Sequence, residues 1–125
     1  MLSYDELCKL VTSIHERFTY ISDIAQYGKA EHWESFNEIP DAGELHGDCE
    51  FFAQAVRKEL HKMGESSRLA VCGVNSNTIN HAVCIYDNWV IDNIHRWPMI
   101  KRDLLNYKWF KISGYETGEA WREIV

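Results

Sequence analysis

Cys49 is the residue of this sequence whose surroundings best suit nucleophilic chemistry. It follows Gly47 and Asp48, which supply a turn and a helix N-cap, and an apolar pattern at spacings of three and four predicts a helix over residues 48–63. A cysteine in the first helical turn meets free backbone N–H groups and the positive end of the helix dipole. Because both favour the thiolate, which is the nucleophilic form of cysteine, the sequence predicts an activated thiol.

His81 and Asp92 are the candidate partners of this thiol, because a cysteine nucleophile needs a base and the base needs an orienting group. His81 begins a predicted strand over residues 80–86, and Asp92 ends the next one, 89–92, after a tight turn at residues 87–88. Symmetric pairing about that turn brings the two side chains within about two residues of each other. If the helix crosses this face, Cys49 would attack a carbonyl carbon, with its own backbone N–H stabilising the oxyanion. His81 would then carry the proton and Asp92 would fix the imidazole tautomer.

The remaining patterns predict helices first and strands afterwards. Ser3 and Glu6 form a capping box that opens a helix over residues 4–18. Further predicted elements are a short helix at 31–38, a turn at 40–43, strands at 68–74 and 109–112, and a helical turn or edge strand at 119–125. The sequence therefore predicts one α+β domain over residues 1–125, with N-terminal helices and a central Cys-bearing helix packed on a small antiparallel sheet.

Composition narrows the class of partner. The net charge of −6 gives the chain no electrostatic reason to bind nucleic acid or an anionic membrane. No apolar run approaches the ~18 residues of a membrane span, and the first six residues do not have the pattern of a signal peptide, so we expect a cytoplasmic location. The four cysteines are irregularly spaced and expected to be reduced, with Cys8, Cys72 and Cys84 as small buried hydrophobes. The oligomeric state is left open.

The motifs together resemble those of the bacterial transglutaminase-like cysteine proteinases, a branch of the papain and transglutaminase superfamily. The resemblance covers roughly residues 14–97 and lies in Gly-Asp-Cys-Glu-Phe-Phe-Ala at 47–53, Asn-His-Ala-Val at 80–83 and Val-Ile-Asp-Asn at 90–93. Upstream, the segments 18–20 and 27–28 and the residues Asp23 and Trp33 are also similar to that family. The resemblance implies a papain/transglutaminase-like fold and a cysteine peptidase or amide hydrolase. Its triad would be Cys49, His81 and Asp92, acting on a protein or peptide through an acyl-thioester.

The same resemblance bears on metal binding. Some members of the family bind calcium through acids flanking the cysteine, which here would be Asp48 and Glu50, and paired carboxylates suit a hard cation. Phe51 replaces an aspartate of the family pattern, which removes one acid from the cluster. The alternative is that both acids only stabilise the helix dipole. The expectation is an enzyme that requires no cofactor, with calcium as the one candidate ligand.

Other interpretations remain open at this point. An amine could replace water as the acyl acceptor, giving transglutaminase-type acyl transfer. The fold could also serve as a non-catalytic binding module, or the chain could be a phage-encoded protein that modifies a host protein. Trp33 and Trp97 either wall a cleft or pack in the core. The remaining histidines are interpreted as surface or loop residues, with His46 as the fallback base: His15, His32, His46, His61 and His95.

Overall fold

The computed structural model describes residues 1–21, 39–115 and 120–124 of the chain. The helices are α1 (Tyr4–Arg17) and α2 (Cys49–Lys62), with a short 3-10 turn at Lys101–Asp103. The strands are β1 (Phe18–Tyr20), β2 (Leu45–Gly47), β3 (Arg68–Val74), β4 (His81–Tyr86), β5 (Trp89–Ile91), β6 (Met99–Ile100), β7 (Tyr107–Ile112) and β8 (Arg122–Glu123). The predicted α+β class is confirmed. The helix predicted at 31–38, with Trp33 and His32, lies outside the described residues.

Helix α1 forms where the capping box predicts it. The Ser3 hydroxyl accepts from the Glu6 backbone N–H at 3.2 Å, and the Glu6 carboxylate accepts from the Ser3 backbone N–H at 3.0 Å. Its buried stripe contains Leu7, Val11 and Ile14. The helix ends at Arg17, one residue earlier than predicted, because Phe18 already belongs to β1.

Helix α2 carries the candidate nucleophile and begins at Cys49 itself. The Asp48 side chain caps it by accepting from the Phe51 backbone N–H at 3.0 Å, as its N-cap position predicts. The helix stops before Gly64, which has a φ of +77° that favours glycine. Met63, the last residue of the predicted helix, is 53% exposed, because the helix ends at Lys62 and leaves that side chain beyond its last turn.

The main sheet has the strand order β6-β5-β4-β3-β7-β8, with each neighbouring pair antiparallel. Within the β4–β5 hairpin, Cys84 pairs with Ile91 and Tyr86 with Trp89, which is the symmetric register that the sequence predicts. Strand β7 begins two residues before the predicted position. For the C-terminal segment the sequence left a helical turn or an edge strand open, and the structure has the edge strand, β8. Strand β6 was not predicted.

A separate two-stranded parallel sheet leads the chain into α2. Tyr20 of β1 pairs with Gly47 of β2, and the backbone N–H of Ile21 donates to the Gly47 carbonyl at 2.6 Å. This pairing joins the end of α1 to the residue that stands two positions before Cys49. A Cβ at Gly47 would lie 2.4 Å from Cγ of Phe51, so the close packing here requires glycine.

Among the described residues, the core has two parts, one on each face of the main sheet. The first lies between the helices and the sheet and includes Leu7, Phe52, Val56 and Cys84. The second covers the other face and includes Cys72, Val83, Val90 and Tyr107. All four cysteines are described and free, and Cys8 is only half-buried, contrary to the expectation of a buried hydrophobe. In residues 1–21, 39–115 and 120–124, no helix is both long enough and apolar enough to cross a membrane.

Candidate active site

The N-terminus of α2 meets the start of β4, and Cys49 lies at that junction. The backbone N–H of Ala82 donates a hydrogen bond to Cys49 Sγ at 3.3 Å. Ala82 directly follows His81, so the sulfur lies against the residue next to the candidate base. Helix capping by Asp48 sets the position of Cys49 on one side, and the antiparallel pairing of β4 sets the position of His81 on the other.

His81 and Asp92 are in direct contact, as the sequence predicts. His81 Nε2 lies 2.9 Å from Asp92 Oδ2, and the two residues are 7% and 1% exposed. An ionised carboxylate only accepts hydrogen bonds, so the proton of this contact is on Nε2. With Nε2 used in this contact, Nδ1 is the ring nitrogen left to accept a proton.

The carboxylate of Asp92 has further donors around it. His95 donates to Oδ1 from its backbone N–H at 3.0 Å and from Nδ1 at 3.2 Å. The Tyr107 hydroxyl donates to Oδ2, which also accepts the hydrogen bond from His81 Nε2. Burial raises the pKa of Asp92, but the hydrogen bonds from His81, Tyr107 and His95 outweigh it and leave that pKa below its ordinary value. Asp92 is therefore ionised at neutral pH.

The thiol of Cys49 shows the opposite behaviour and corrects the expectation of a ready thiolate. Burial, with a smaller contribution from the carboxylates of Asp48 and Glu50, raises the pKa of Cys49 to about 12. The backbone N–H groups of Ala82 and Glu50 act in the other direction without compensating. Desolvation of the thiolate thus outweighs the helix N-terminus, and the thiol keeps its proton until a base takes it.

Asp48 and Glu50, the candidate calcium ligands, are both buried, at 8% and 5% exposure. They are therefore not simply solvated acids of a first helical turn. Asp48 already caps α2 through one carboxylate oxygen. In the part of the chain that the structure describes, no group of three or more histidine, cysteine or acidic side chains could hold a metal ion. The two carboxylates are thus a partial ligand set that backbone oxygens and water would have to complete.

The other histidines differ in their surroundings. His46, the fallback base, is exposed and pairs with Glu44 at 3.1 Å, and His61 is also exposed. His95 lies in the loop after β5, in line with the prediction of a surface or loop residue, although it is half-buried. His15 differs from that prediction, because it is half-buried in α1, where its Nε2 lies 2.9 Å from the His95 carbonyl oxygen. Packing of α1 beside the Asp92 loop explains this correction. Trp97 is 53% exposed and is not a core residue.

His95 and Tyr107 are further partners of Asp92 among the described residues, and the sequence motifs gave neither of them a role in the site. His95 had a local signal, because an aspartate often accepts from a backbone N–H a few residues later in a turn. Tyr107 had none, because it lies 15 residues after Asp92 in another strand and reaches it only through the fold of the sheet.

The fold and these contacts define a class: transglutaminase-like cysteine peptidases, in which a cysteine opens a helix beside an antiparallel sheet. The chain belongs to the bacterial transglutaminase-like cysteine proteinase family (BTLCP), whose sequence model matches residues 2–125. The protein is therefore an enzyme of the cysteine peptidase type, and the resemblance drawn from the sequence motifs is confirmed. No curated protein matches the chain.

Solved structures of Legionella pneumophila LapG share this fold. The calcium-bound form is 18% identical with a TM-score of 0.71, over 97% of this chain and 69% of that one. The EGTA-treated form is 18% identical with a TM-score of 0.72, over 98% and 68%. A third LapG structure is 20% identical with a TM-score of 0.69, over 91% and 67%. At such low identity these similarities concern the fold alone.

Proposed function

We propose that the protein hydrolyses an amide bond of a protein or peptide substrate with Cys49 as nucleophile, His81 as base and Asp92 as orienting acid. One observation carries the proposal: Cys49 Sγ accepts from the residue next to His81, and His81 contacts a buried, ionised Asp92. This arrangement supplies a thiol, a base on the residue adjacent to the one that contacts the sulfur, and a charge that stabilises the protonated base.

The reaction would begin with proton transfer from Cys49 Sγ to His81 Nδ1. The sulfur then attacks the substrate carbonyl carbon, and the backbone N–H of Cys49 donates to the resulting oxyanion. His81 returns the proton to the leaving amine nitrogen as the C–N bond breaks, which leaves an acyl-thioester on Cys49. Water, deprotonated by His81, attacks the thioester and releases the carboxylic acid and the free thiol.

Asp92 makes the first step feasible despite the raised pKa of Cys49. Proton transfer creates an imidazolium beside a carboxylate that is already ionised and almost fully buried. The attraction between the two charges is strong in a site of low dielectric. The reaction therefore depends on the His81–Asp92 pair more than it would for a cysteine that is ionised beforehand.

We also infer that Asp48 and Glu50 would hold calcium. Their two buried carboxylates lie on either side of Cys49 and match the oxygen ligands that calcium prefers. Position 51 holds an aspartate in the family pattern, but here it holds Phe51, whose ring packs against Gly47. The calcium site would therefore have one acid fewer and would bind weakly. When bound, calcium would neutralise the two carboxylates that disfavour the Cys49 thiolate.

The test is a proteome-derived peptide library incubated with the protein, with new chain ends identified by mass spectrometry. We expect new carboxyl and amino termini at a restricted set of sequences, and their loss in Cys49→Ala. Cys8→Ala is the matched control, because it removes a half-buried thiol from α1 and should leave cleavage unchanged.

The alternatives give different outcomes in the same assay. If an added primary amine appears on the acyl fragment, the reaction is acyl transfer. If peptides of the library bind the protein and are recovered uncleaved, the protein is a binding module. Cleavage that persists in Cys49→Ala would remove Cys49 from the mechanism.

A further inference from the structure

We propose that Tyr107 is a positioning residue for the His81–Asp92 pair, holding the carboxylate and the imidazole in their mutual orientation. The inference rests on the proposed function, because it assigns a role within that candidate site. Nothing in the sequence motifs points to Tyr107, which lies at the start of β7.

Tyr107 contacts both members of the pair. Its hydroxyl donates to Asp92 Oδ2, and His81 Nε2 lies 2.9 Å from the same oxygen. Its ring packs against the imidazole of His81 in an edge-on arrangement, with 5.8 Å between centroids and 85° between planes. One buried side chain therefore limits the rotation of the carboxylate and the tilt of the imidazole together.

The distribution of donors shows why the hydroxyl matters. Asp92 Oδ1 is held by two donors of His95, and Oδ2 is held by one donor each from His81 and Tyr107. Without the hydroxyl, His81 would be the only one of these donors left at Oδ2. The carboxylate could then turn toward His95 and weaken its contact with His81.

The hydroxyl is suited to act as a permanent donor. Burial raises the pKa of Tyr107, and the neighbouring Asp92 carboxylate raises it further, so the phenol keeps its proton. A second donor on Oδ2 also lowers the basicity of that oxygen, which keeps the shared proton on His81 Nε2. Since these effects act on the base rather than on substrate contacts, their loss should lower kcat and leave KM unchanged.

The experiment compares Tyr107→Phe with Tyr86→Phe. Tyr86 is a matched control, because its buried hydroxyl also donates to a carboxylate, that of Glu65, away from the candidate site. Two readouts are used: the proton resonance of His81 Nε2–H in NMR spectra, and kcat and KM for the peptide that the library assay identifies.

We expect Tyr107→Phe to shift or broaden the His81 resonance and to lower kcat by about 10- to 100-fold at constant KM. Tyr86→Phe should change neither readout. An unchanged resonance or an unchanged kcat in folded Tyr107→Phe would overturn the proposal, as would an equal loss in both variants.

Two further results keep the inference separate from the proposed function. If the wild type cleaves no peptide but the resonance moves only in Tyr107→Phe, hydrolysis is rejected and the positioning contact is supported. If Tyr107→Phe does not fold, the wild type still provides a test, because the hydroxyl proton of Tyr107 and the Nε2 proton of His81 share one acceptor. A nuclear Overhauser effect between them is expected, and its absence would overturn the proposal.

Discussion

The two halves of the candidate site are built in different ways. The thiol half lies at the tip of α2 and is set by local contacts, chiefly the Asp48 cap and the hydrogen bond from Ala82 to the sulfur. The imidazole half lies on the sheet and is assembled from distant segments, with Asp92 receiving donors from β4, β7 and the loop after β5.

The electrostatics of the two halves are also opposite. Burial and neighbouring acids raise the pKa of Cys49 to about 12, whereas hydrogen bonds overcome burial and lower the pKa of Asp92. The comparison indicates that, of the three candidate catalytic groups, Asp92 carries a negative charge in the resting site and the sulfur of Cys49 does not. The nucleophile would therefore form by proton transfer within the site, at the moment when it is used.

The largest effect is expected when the negative charge of Asp92 is removed from the imidazole half. Asp92→Asn should lower kcat by roughly 10³- to 10⁴-fold, because the amide cannot stabilise an imidazolium and can present a donor to His81. The measurement is kcat for the library-derived peptide. Asp41→Asn is the control, because it changes an exposed acid paired with Lys58 at 3.0 Å and should leave kcat unchanged.

Acid stability provides an independent check on the same variant. Folding lowers the pKa of Asp92, so its ionised carboxylate stabilises the fold at any pH above its pKa in the unfolded chain, about 3.9. This contribution is lost as the pH falls through the lower pKa that Asp92 has in the folded protein. The wild type should lose more unfolding free energy between pH 5 and pH 2 than Asp92→Asn does, as measured by urea denaturation. Equal losses would contradict the assignment of charge to Asp92.

The second prediction concerns the dependence of the thiol on the base. Iodoacetamide should label Cys49 fastest of the four cysteines near pH 7, and His81→Ala should slow that labelling by about 100-fold. In the variant the rate should rise with pH toward about 12, because ionisation then follows the raised pKa of Cys49 alone. Peptide mapping by mass spectrometry measures the rate at each cysteine.

His46→Ala is the control for that experiment, because His46 is exposed and pairs with Glu44. It should leave the labelling rate of Cys49 unchanged. A slow rate in His46→Ala with a normal rate in His81→Ala would move the role of base to His46.

The smallest expected effect is stabilisation of the thiol half by calcium bound at Asp48 and Glu50. Calcium at 1 mM should stabilise the protein by about 1 kcal/mol relative to EGTA, as expected for a site with a dissociation constant of 10⁻⁴–10⁻³ M. Asp48→Asn should abolish this shift while keeping the helix cap, since asparagine is also a good N-cap. Thermal unfolding measures both, and identical melting temperatures in calcium and EGTA would exclude the site.

Several elements could be predicted because their signals are local. The capping box at Ser3, the N-cap at Asp48 and the hairpin turn at residues 87–88 each involve residues a few positions apart, and the structure has all three. The β4–β5 register followed from the same turn, and it is what brings His81 and Asp92 together. The short strands β1, β2 and β6 were missed because two or three residues carry no measurable periodicity.

Local patterns in the sequence predict which residues begin α2, how the β4–β5 hairpin pairs and which side chains could form the candidate site, because capping and hairpin register depend on near neighbours. Only the tertiary structure decided the protonation states and the support of that site. The pKa of Cys49 depends on how completely the fold removes water from the sulfur, and the hydrogen bond of Tyr107 depends on a strand 15 residues beyond Asp92. Desolvation and long-range contacts are properties of the assembled chain, so no local pattern of residues encodes them.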